Sequence, residues 1–550
     1  MSTVPAQALP PPESPMEEKD NLKITGAETM LEYADIQGES GDVVHTVDGV
    51  SWTQEEERAI VKRYDWNIVT IVFTLFMLSF LDRSNIGNAN TAGMSKYLGM
   101  TDGQFQWLLT IFYIGYSCGQ PTTLLWKLVP PRLFVAFLTL CWGGFALLQA
   151  AAGWEGLMAL RLLLGVAETA FSPGVPLYLS FFYSRREIGF RQGIFLAGAP
   201  LASCYAGALA YGISHIKTSS LPVYKLLFLI EGAPAIPMAA VAYFFLPDKP
   251  SQARFLTPRQ QEIARLRVAR DGDTGRESRL KWRGVLNGLK DHKAWICSLM
   301  YFSCNVSYSS LPVFLPAILK DMGYSSIRAQ GLSAPPNLAA FFVLLSVTFA
   351  SDRVGDRTAF IIPLATMGGI GYLLLAVVKL TAVRYFAIFL VAAGIFPTIG
   401  LILPLVSSLH EDDSKRSAAF MILNLIGQLG PFVGTRMYPT SEAPYYKKGM
   451  AVCCGFILLV ACLATLMRFL LMHENRVRDR KYGYVDPKKQ EALQERAVRD
   501  RLAETTAQQK KEGTNTGEGQ EVEGATPTMG KEKTAEEKQA DRERYWRYLL

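Results

Sequence analysis

The sequence has little histidine and lacks the short motifs that mark common enzyme classes. There is no Walker A loop and no H-E-x-x-H segment, which argues against nucleotide-driven chemistry and zinc-protease chemistry. The 8 cysteines show neither metal-ligand spacing nor the pairing pattern of a secreted disulfide framework. The sequence therefore predicts no enzyme activity, no cofactor and no metal site. The 5 histidines lie in predicted tails, loops or helix ends, which disfavours a histidine relay: His45, His215, His292, His410 and His473.

The sequence also predicts no signal peptide and no nucleic-acid binding. No basic segment followed by an apolar core opens the sequence, so the apolar run that starts near Trp66 is expected to be its own targeting signal. The formal net charge of +7 comes without basic residues interleaved with aromatic ones. Residues 1–65 and 473–550 are too polar to offset the entropy of ordering, and we predict that both are largely disordered tails.

Long apolar runs fill the rest of the chain. About twelve of them lie between Trp66 and Met472, each long enough to cross a bilayer core of ~30 Å as a helix. We predict an all-α polytopic membrane protein with 12 transmembrane helices. The expected spans are 66–86, 106–127, 132–152, 155–180, 190–214, 226–246, 294–319, 328–350, 359–379, 384–406, 415–438 and 449–472.

A polar segment at 248–293 separates six spans from six. This layout predicts two six-helix bundles, at 66–247 and 294–472, with a substrate path between them. Alternate loops carry an excess of Lys and Arg, which places both tails and the central loop in the cytosol. The central loop contains TPRQQEIARLRVAR, and this pattern fits either a membrane-surface helix or a solvated linker helix.

Charges inside the predicted spans are the first candidates for function, because a charge in lipid is costly. Asp82 and Arg83 follow the apolar part of the first span. They can pair with each other or with other helices. The alternative is a helix that ends at Phe80 and leaves both side chains among the headgroups, but the run from Trp66 to Phe80 is short for a span.

Arg161 and Glu168 lie seven residues apart in the fourth span, so both side chains point to one helix face. An arginine in a bundle interior is a good bidentate ligand for a carboxylate. A desolvated glutamate can take up a proton. The pair therefore suggests anion binding linked to proton binding, and the alternative is an ion pair that only holds helices together.

Uncharged polar stripes offer further hydrogen-bonding groups, although buried Tyr and Asn side chains often only pack. Tyr116 and Gln120 belong to a stripe with Tyr113 in the second span, and Asn424 shares one with Gln428 in the eleventh. For Glu231, near the start of the sixth span, a structural and a functional role are equally compatible with the sequence.

Several segments together resemble the major facilitator superfamily over about 66–472. SDRVGDR, from Ser351 to Arg357, is similar to the superfamily's D-R-x-G-R loop, whereas the equivalent first-half segment WKLVPPR departs from it. Finer segments resemble the anion:cation symporter family and its fungal allantoate permease-like branch. They are LDRSNIGNA, RLLLGVAETAFSPGVPLYLSFFY, FLIEGAP and YPTSEAPYYKKG.

The resemblance implies proton-coupled symport of a small organic anion, such as a vitamin, a ureide or a similar carboxylate. It implies that Asp82 and Glu168 carry protons and that Arg83 partners Asp82. The implied role of Arg161 is either to bind the substrate carboxylate or to control the protonation of Glu168. The remaining implied roles are substrate binding for Arg83, Tyr116, Gln120 and Asn424, and gating for Asp352, Arg353 and Arg357.

Two other functions fit the same pattern. One is an exporter of a specialised metabolite on the same fold, and the other is a non-transporting membrane sensor that signals through its tails. For the leading reading we expect a monomer in the plasma membrane whose partners are an organic anion, protons and lipid, with no nucleic acid.

Overall fold

A computed structural model describes residues 33–37, 43–47, 50–216, 221–270, 286, 288–410 and 413–482. The chain divides into two units, residues 1–54 and 55–550. The described part of the first unit is an antiparallel sheet of three strands, β1 (Tyr33–Gln37), β2 (Val43–Val47) and β3 (Val50–Thr53). Tyr33 lies opposite Val47, and Val47 lies opposite Val50.

This sheet differs from the disorder expected for most of residues 1–65. Asp-Gly separates β2 from β3 in the sequence, and this dipeptide favours two-residue hairpin connections. The valines of β2 and β3 favour extended backbone. These local signals outweigh the polar average of the segment. The other residues before Val50, and all residues after Tyr482, lie outside the described part, so the predicted disorder of the tails stays a prediction.

The second unit is helical. Its first half contains α1 (Gln54–Tyr64), α2 (Thr70–Thr91), α3 (Met94–Tyr97), α4 (Asp102–Cys118), α5 (Pro131–Leu148), α6 (Trp154–Thr169), α7 (Phe171–Leu179), α8 (Arg185–Ile213), α9 (Val223–Gly232), α10 (Ala235–Phe245) and α11 (Pro258–Arg270).

Its second half contains α12 (His292–Asp321), α13 (Ser326–Leu332), α14 (Ala334–Val354), α15 (Arg357–Val377), α16 (Thr381–Leu409), α17 (Asp413–Gly427), α18 (Gly430–Gly434) and α19 (Lys447–Tyr482).

Eleven helical stretches of the described chain are long and apolar enough to cross a membrane. The remaining predicted span, 106–127, is interrupted. Its first part is α4, of 17 residues, and a 3-10 segment over Gln120–Lys127 follows it, with Pro121 at the start. The predicted all-α polytopic fold is confirmed, with eleven to twelve spans. The orientation of the termini stays a prediction.

Glycines allow the helices to approach closely near the charged residues of the first half. A Cβ on Gly165 of α6 would overlap the carbonyl of Phe112 on α4, and one on Gly115 would overlap the carbonyl of Leu162. A Cβ on Gly87 of α2 would overlap the carbonyl of Val313 on α12. Small residues at such positions bring buried polar groups of neighbouring helices within reach of each other.

The two halves touch at both ends of the helical unit. One end of the helical unit, here called the tail end, carries α1, α11 and the Ser351–Arg357 loop. There Phe190 of α8 packs edge-on against Phe349 of α14 with ring centroids 6.0 Å apart. At the opposite, far end, Gln330 donates to the carbonyl of Asn88 at 3.3 Å and accepts from Ser214 at 2.7 Å. The structure is therefore occluded, because both ends of the path between the halves are closed.

Helix α11 packs one face on protein. The side chains of Ile263 and Leu266 are buried inside the unit. Arg267 is 2 % exposed and pairs with Glu57 of α1 at 2.7 Å and with Glu187 of α8 through a short contact. These two acidic partners make the burial of the guanidinium tolerable. The opposite face of the helix is exposed, so its contact with the membrane surface or with solvent stays a prediction.

We predict that Arg267→Ala destabilises the protein by about 2–3 kcal/mol, because it removes the buried guanidinium that joins α11 to two carboxylates. Both carboxylates keep some contact with solvent, which holds the loss below that of a fully buried pair. The readout is the apparent melting temperature of the purified protein in detergent.

Arg259→Ala is the matched control. Arg259 pairs with Glu56 at 3.1 Å, but its side chain is 66 % exposed. Exposed pairs contribute at most about 1 kcal/mol. Equal melting temperatures for the two variants would show that Arg267 does not fix α11.

Candidate functional site

A buried ion pair joins α2 to α6. Nη2 of Arg83 lies 3.1 Å from Oε2 of Glu168, and the side chains are 15 % and 0 % exposed. The second carboxylate oxygen, Oε1, has no hydrogen-bond partner among the described residues. The pair exists because α2 continues unbroken to Thr91, well past Phe80. The alternative of a helix that ends at Phe80 is therefore wrong.

Aromatic rings surround the Arg83 guanidinium. Its central carbon lies 5.6 Å from the ring centroid of Phe80, 5.2 Å from that of Phe112 and 5.0 Å from that of Tyr116. Cation–π contacts of this kind gain strength where water is excluded. The rings therefore compensate for part of the hydration that Arg83 loses on burial.

Asp82 and Arg161 form a second, looser contact. Nη1 of Arg161 donates to the main-chain carbonyl of Asp82 at 3.4 Å, and Arg161 is 1 % exposed. Three atoms of this contact have no hydrogen-bond partner in the described chain: Nε and Nη2 of Arg161, and Oδ2 of Asp82. The implied Asp82–Arg83 pair is not formed. Neighbouring residues on a helix point about 100° apart, and Arg83 turns to Glu168 while Asp82 faces Arg161.

A small central cavity lies against both arginines, with room for about one water molecule. It is too small for an organic solute, in agreement with the occluded state. Both halves of the chain contribute to its wall. The lining residues are Arg83, Leu109, Phe112, Tyr113, Arg161, Ser309, Val313, Phe314 and Thr435.

The second half contributes uncharged groups of α12 that were not predicted from the sequence. Ser309 lies on the wall of this cavity. Tyr308 lines a second small cavity beside Arg83 and packs edge-on against Phe80 with ring centroids 5.5 Å apart. The composition of α12 is the sequence feature that could have identified these residues. Within an otherwise apolar span it carries Ser303, Asn305, Ser307, Ser309 and Ser310, all buried. So many polar side chains in one span indicate a helix that faces the protein interior.

The other predicted substrate-binding residues differ in whether they contact Arg83 or line the central cavity. Tyr116 is buried and contacts Arg83 through its ring. Gln120 starts the 3-10 segment, and its Nε2 has no partner among the described residues. Asn424 donates to the carbonyl of Phe420 on its own helix at 3.0 Å. As far as the described residues go, neither Gln120 nor Asn424 lines the central cavity.

The predicted gating residues lie at the tail end. Arg357 contacts Asp352 at 3.4 Å and donates to the carbonyl of Pro404 at 3.0 Å. Arg353 lies over the ring of Phe349 at 4.9 Å. A Cβ placed on Gly189 of α8 would come within 3.0 Å of the Asp352 carboxylate. The loop of the second half therefore touches a helix of the first half where the path is closed.

A family model described as the Major Facilitator Superfamily matches residues 72–435. The chain belongs to this superfamily. Its members carry small molecules across membranes and are usually monomeric, so the protein is a multi-pass membrane transporter and not an enzyme.

Similar fungal proteins support this assignment over 77–81 % of the chain. An MFS transporter, prlL, of a fungal species is 32 % identical and covers 77 % of this chain and 89 % of its own. A Schizosaccharomyces pombe transporter is 31 % identical over 81 % of this chain and 89 % of its own. The major facilitator-type transporter hxnP of Emericella nidulans is 30 % identical over 78 % and 88 %.

Solved structures share the fold at low sequence identity. The proton:xylose symporter XylE, bound to 6-bromo-6-deoxy-D-glucose, has a TM-score of 0.59 and is 14 % identical, covering 74 % of this chain and 96 % of its own. An inward-facing bacterial homologue of the lysosomal transporter Spinster has a TM-score of 0.56 at 16 % identity, covering 73 % and 96 %. At this identity the likeness shows the architecture alone.

We predict that Arg83→Met costs about 3–5 kcal/mol, because it removes the ion-pair partner of the buried Glu168 carboxyl. The double variant Arg83→Met/Glu168→Gln is expected to recover part of this loss, since no charge of the pair remains. The measurement is a double-mutant cycle on thermal stability, with Glu168→Gln as the second single variant. Additive effects of the two substitutions would show that the ion pair contributes nothing beyond its separate side chains.

Proposed function

We propose that the protein is a proton-coupled symporter of a small organic anion in the plasma membrane. We place it in the anion:cation symporter family and its fungal allantoate permease-like branch, on the segments that resemble that group. The observation that carries the proposal is Arg161, a buried guanidinium at the central cavity with two nitrogen atoms, Nε and Nη2, that lack partners among the described residues.

Arg161 supports an anionic substrate because no carboxylate oxygen of the described chain lies at ion-pair distance from its guanidinium. The resolved acceptor for its guanidinium is the main-chain carbonyl of Asp82, at a long 3.4 Å, and the carboxyls of Glu168 and Asp82 act on it from farther away. A substrate carboxylate would accept bidentate hydrogen bonds from its unpartnered donors. Arg83 contributes a second positive charge, although Glu168 already neutralises it in this state.

Asp82 and Glu168 support proton coupling. Both are buried, and each has one carboxylate oxygen without a hydrogen-bond partner in the described residues. If a substrate anion binds Arg161 in a closed site, the added negative charge must be balanced, and protonation of one of these carboxyls provides the balance. Substrate and proton would then cross the membrane together, in the direction of the proton gradient.

The remaining roles follow the positions of the side chains. Tyr116 would hold Arg83 in place through its ring, whereas Gln120 and Asn424 would reach the substrate only in a conformation with a wider cavity. Asp352, Arg353 and Arg357 would close the cytosolic side through the contact of their loop with α8. Opening that side requires Asp352 to leave Gly189.

Uptake of labelled nicotinate, pantothenate and allantoate into cells tests the symport. We expect uptake of at least one of these anions to be faster at pH 5 than at pH 8 and to fall when a protonophore collapses the gradient. Cells without the protein are the control. Equal uptake at both pH values, unaffected by the protonophore, would contradict proton coupling, and accumulation lowered by the protein would favour the exporter.

Arg161→Ala tests the anion site. We predict that it abolishes uptake at normal surface expression, because the substrate carboxylate loses its bidentate partner. Arg161→Lys keeps the charge but not the fork of donors, and we expect it to retain a small fraction of the uptake. Unchanged uptake by the alanine variant would remove Arg161 from the substrate site.

A further inference from the structure

A connecting segment at the far end, residues 438–446, lies between α18 and α19, and we call it the strap. It holds the first nine residues of YPTSEAPYYKKG, one of the segments on which the family resemblance rests. Its regular structure is one 3-10 turn, Thr440–Glu442. A segment with so little backbone hydrogen bonding keeps a single course only where its side chains are anchored.

The start of the strap is anchored to the second half. Tyr438 is buried, and its ring centroid lies 5.0 Å from that of Phe314 on α12. Its hydroxyl lies 3.4 Å from Sγ of Cys453 on α19. Phe314 is part of the wall of the central cavity. The strap therefore begins directly behind that wall.

The end of the strap is anchored to the same half. Tyr446 is buried, and its hydroxyl donates to the Asp321 carboxylate at the end of α12 through a short contact. Its φ of 47° is uncommon for a residue other than glycine, so the surrounding contacts must hold this turn. Arg384 of α16 is 2 % exposed, donates to the carbonyl of Pro444 at 3.3 Å and lies 4.9 Å from the ring centroid of Tyr445. Helices α12, α16 and α19 thus fix the strap to the second half.

Helix α4 of the first half meets the strap and the residues before it in a row of contacts. From the central cavity to the far end, the pairs are Thr110 with Thr435 at 3.3 Å, Trp107 with Arg436 at 5.0 Å, and Asp102 with Thr440 through a short hydrogen bond. The α4 residues follow one another toward the N-terminus of the helix, while their partners follow one another toward the strap. The row therefore runs from the cavity wall, which includes Thr435, to the surface.

Exposure separates this row from the anchors of the strap. Asp102, Thr440 and Arg436 are exposed, whereas the two anchoring tyrosines and Arg384 are buried. Groups at the surface can exchange a protein partner for water, so their hydrogen bonds contribute little net free energy and break readily. Buried groups cannot make that exchange. The weakly held side of the strap is thus the side that faces the first half.

We propose that the strap is a latch that is carried by the second half and closes the far end of the path by holding α4. The far end opens when Thr440 leaves Asp102 and Arg436 leaves Trp107, while the strap keeps its place on α12, α16 and α19. Because Thr435 belongs both to the cavity wall and to the row of contacts on α4, the row links the cavity to the latch. This inference concerns how the path opens, so it holds for any solute and for either direction of transport.

Double electron–electron resonance on the full-length protein in lipid vesicles tests the latch without any solute. Spin labels on p-acetylphenylalanine, introduced at the exposed Glu155 of the first half and at the exposed Ser441 of the strap, leave the native cysteines in place. We expect the double variant Thr440→Val/Arg436→Gln to raise the population with the longer distance about fivefold, as the loss of one ordinary hydrogen bond does. Asp102→Ala removes the same hydrogen bond from the side of α4 and is expected to act likewise.

Two controls make the result decisive. Labels at Ser441 and at Lys379, which precedes α16 at the far end of the second half, are expected to keep one distance in every variant. Lys448→Ala removes an exposed ion pair with Glu442 of the strap at 3.3 Å, and we expect both label pairs to keep their wild-type distances. Equal distributions for the wild type and the latch variants would overturn the latch. A changed distance between Ser441 and Lys379 would overturn the attachment of the strap to the second half.

Failure here and failure of the symport are distinguishable. Uptake depends on the solute and on the proton gradient, whereas the distances between the labels depend on neither.

Discussion

Neutralisation of charge in the dry interior of the first half is the constraint on which the rest of the site depends. Burial of the charge of Arg83 or of Glu168 alone would be costly. The two charges are tolerated together because they meet at 3.1 Å inside a shell of aromatic rings. That meeting requires α2, α4 and α6 to approach closely. Gly115 and Gly165 provide the approach, since any larger side chain there would push α4 from α6.

The charges are divided unequally between the two halves. Arg83, Arg161, Asp82, Glu168 and Glu231 all belong to the first half, whereas α12 of the second half supplies Tyr308, Ser309, Val313 and Phe314 to the cavities around Arg83. The ionic groups can therefore keep their mutual geometry when the halves separate. In the proposed transport cycle the uncharged wall would move away from them and admit a solute to Arg161 without breaking the Arg83–Glu168 pair.

The architecture could be predicted from the sequence because a membrane span needs about 20 apolar residues and so leaves a long, visible pattern. The buried positions of Asp82, Arg161 and Glu168 followed from the cost of charge in lipid. Their pairing did not, because the sequence shows which residues share a helix face but not which neighbouring helix that face meets. For the same reason the roles of Tyr308 and Ser309 were not predicted. The contacts of Arg267 with Glu57 and Glu187 were not predicted either, because they join residues 210 and 80 positions apart in the sequence.

The distribution of strong and weak contacts agrees with movement of the two halves as rigid bodies. The ion pairs described above lie within one half together with its adjoining segments, as does the bidentate pair of Arg191 with Asp65 at 2.6 and 2.7 Å. Between the halves lie neutral contacts, such as Phe190 with Phe349 and Thr110 with Thr435 at 3.3 Å, and charged ones, such as Arg436 over the ring of Trp107 at 5.0 Å and Thr440 with Asp102. A neutral hydrogen bond contributes only about 1 kcal/mol. In the proposed transport cycle these contacts would break and re-form, and binding of the solute would shift the balance between the states through its different affinity for each.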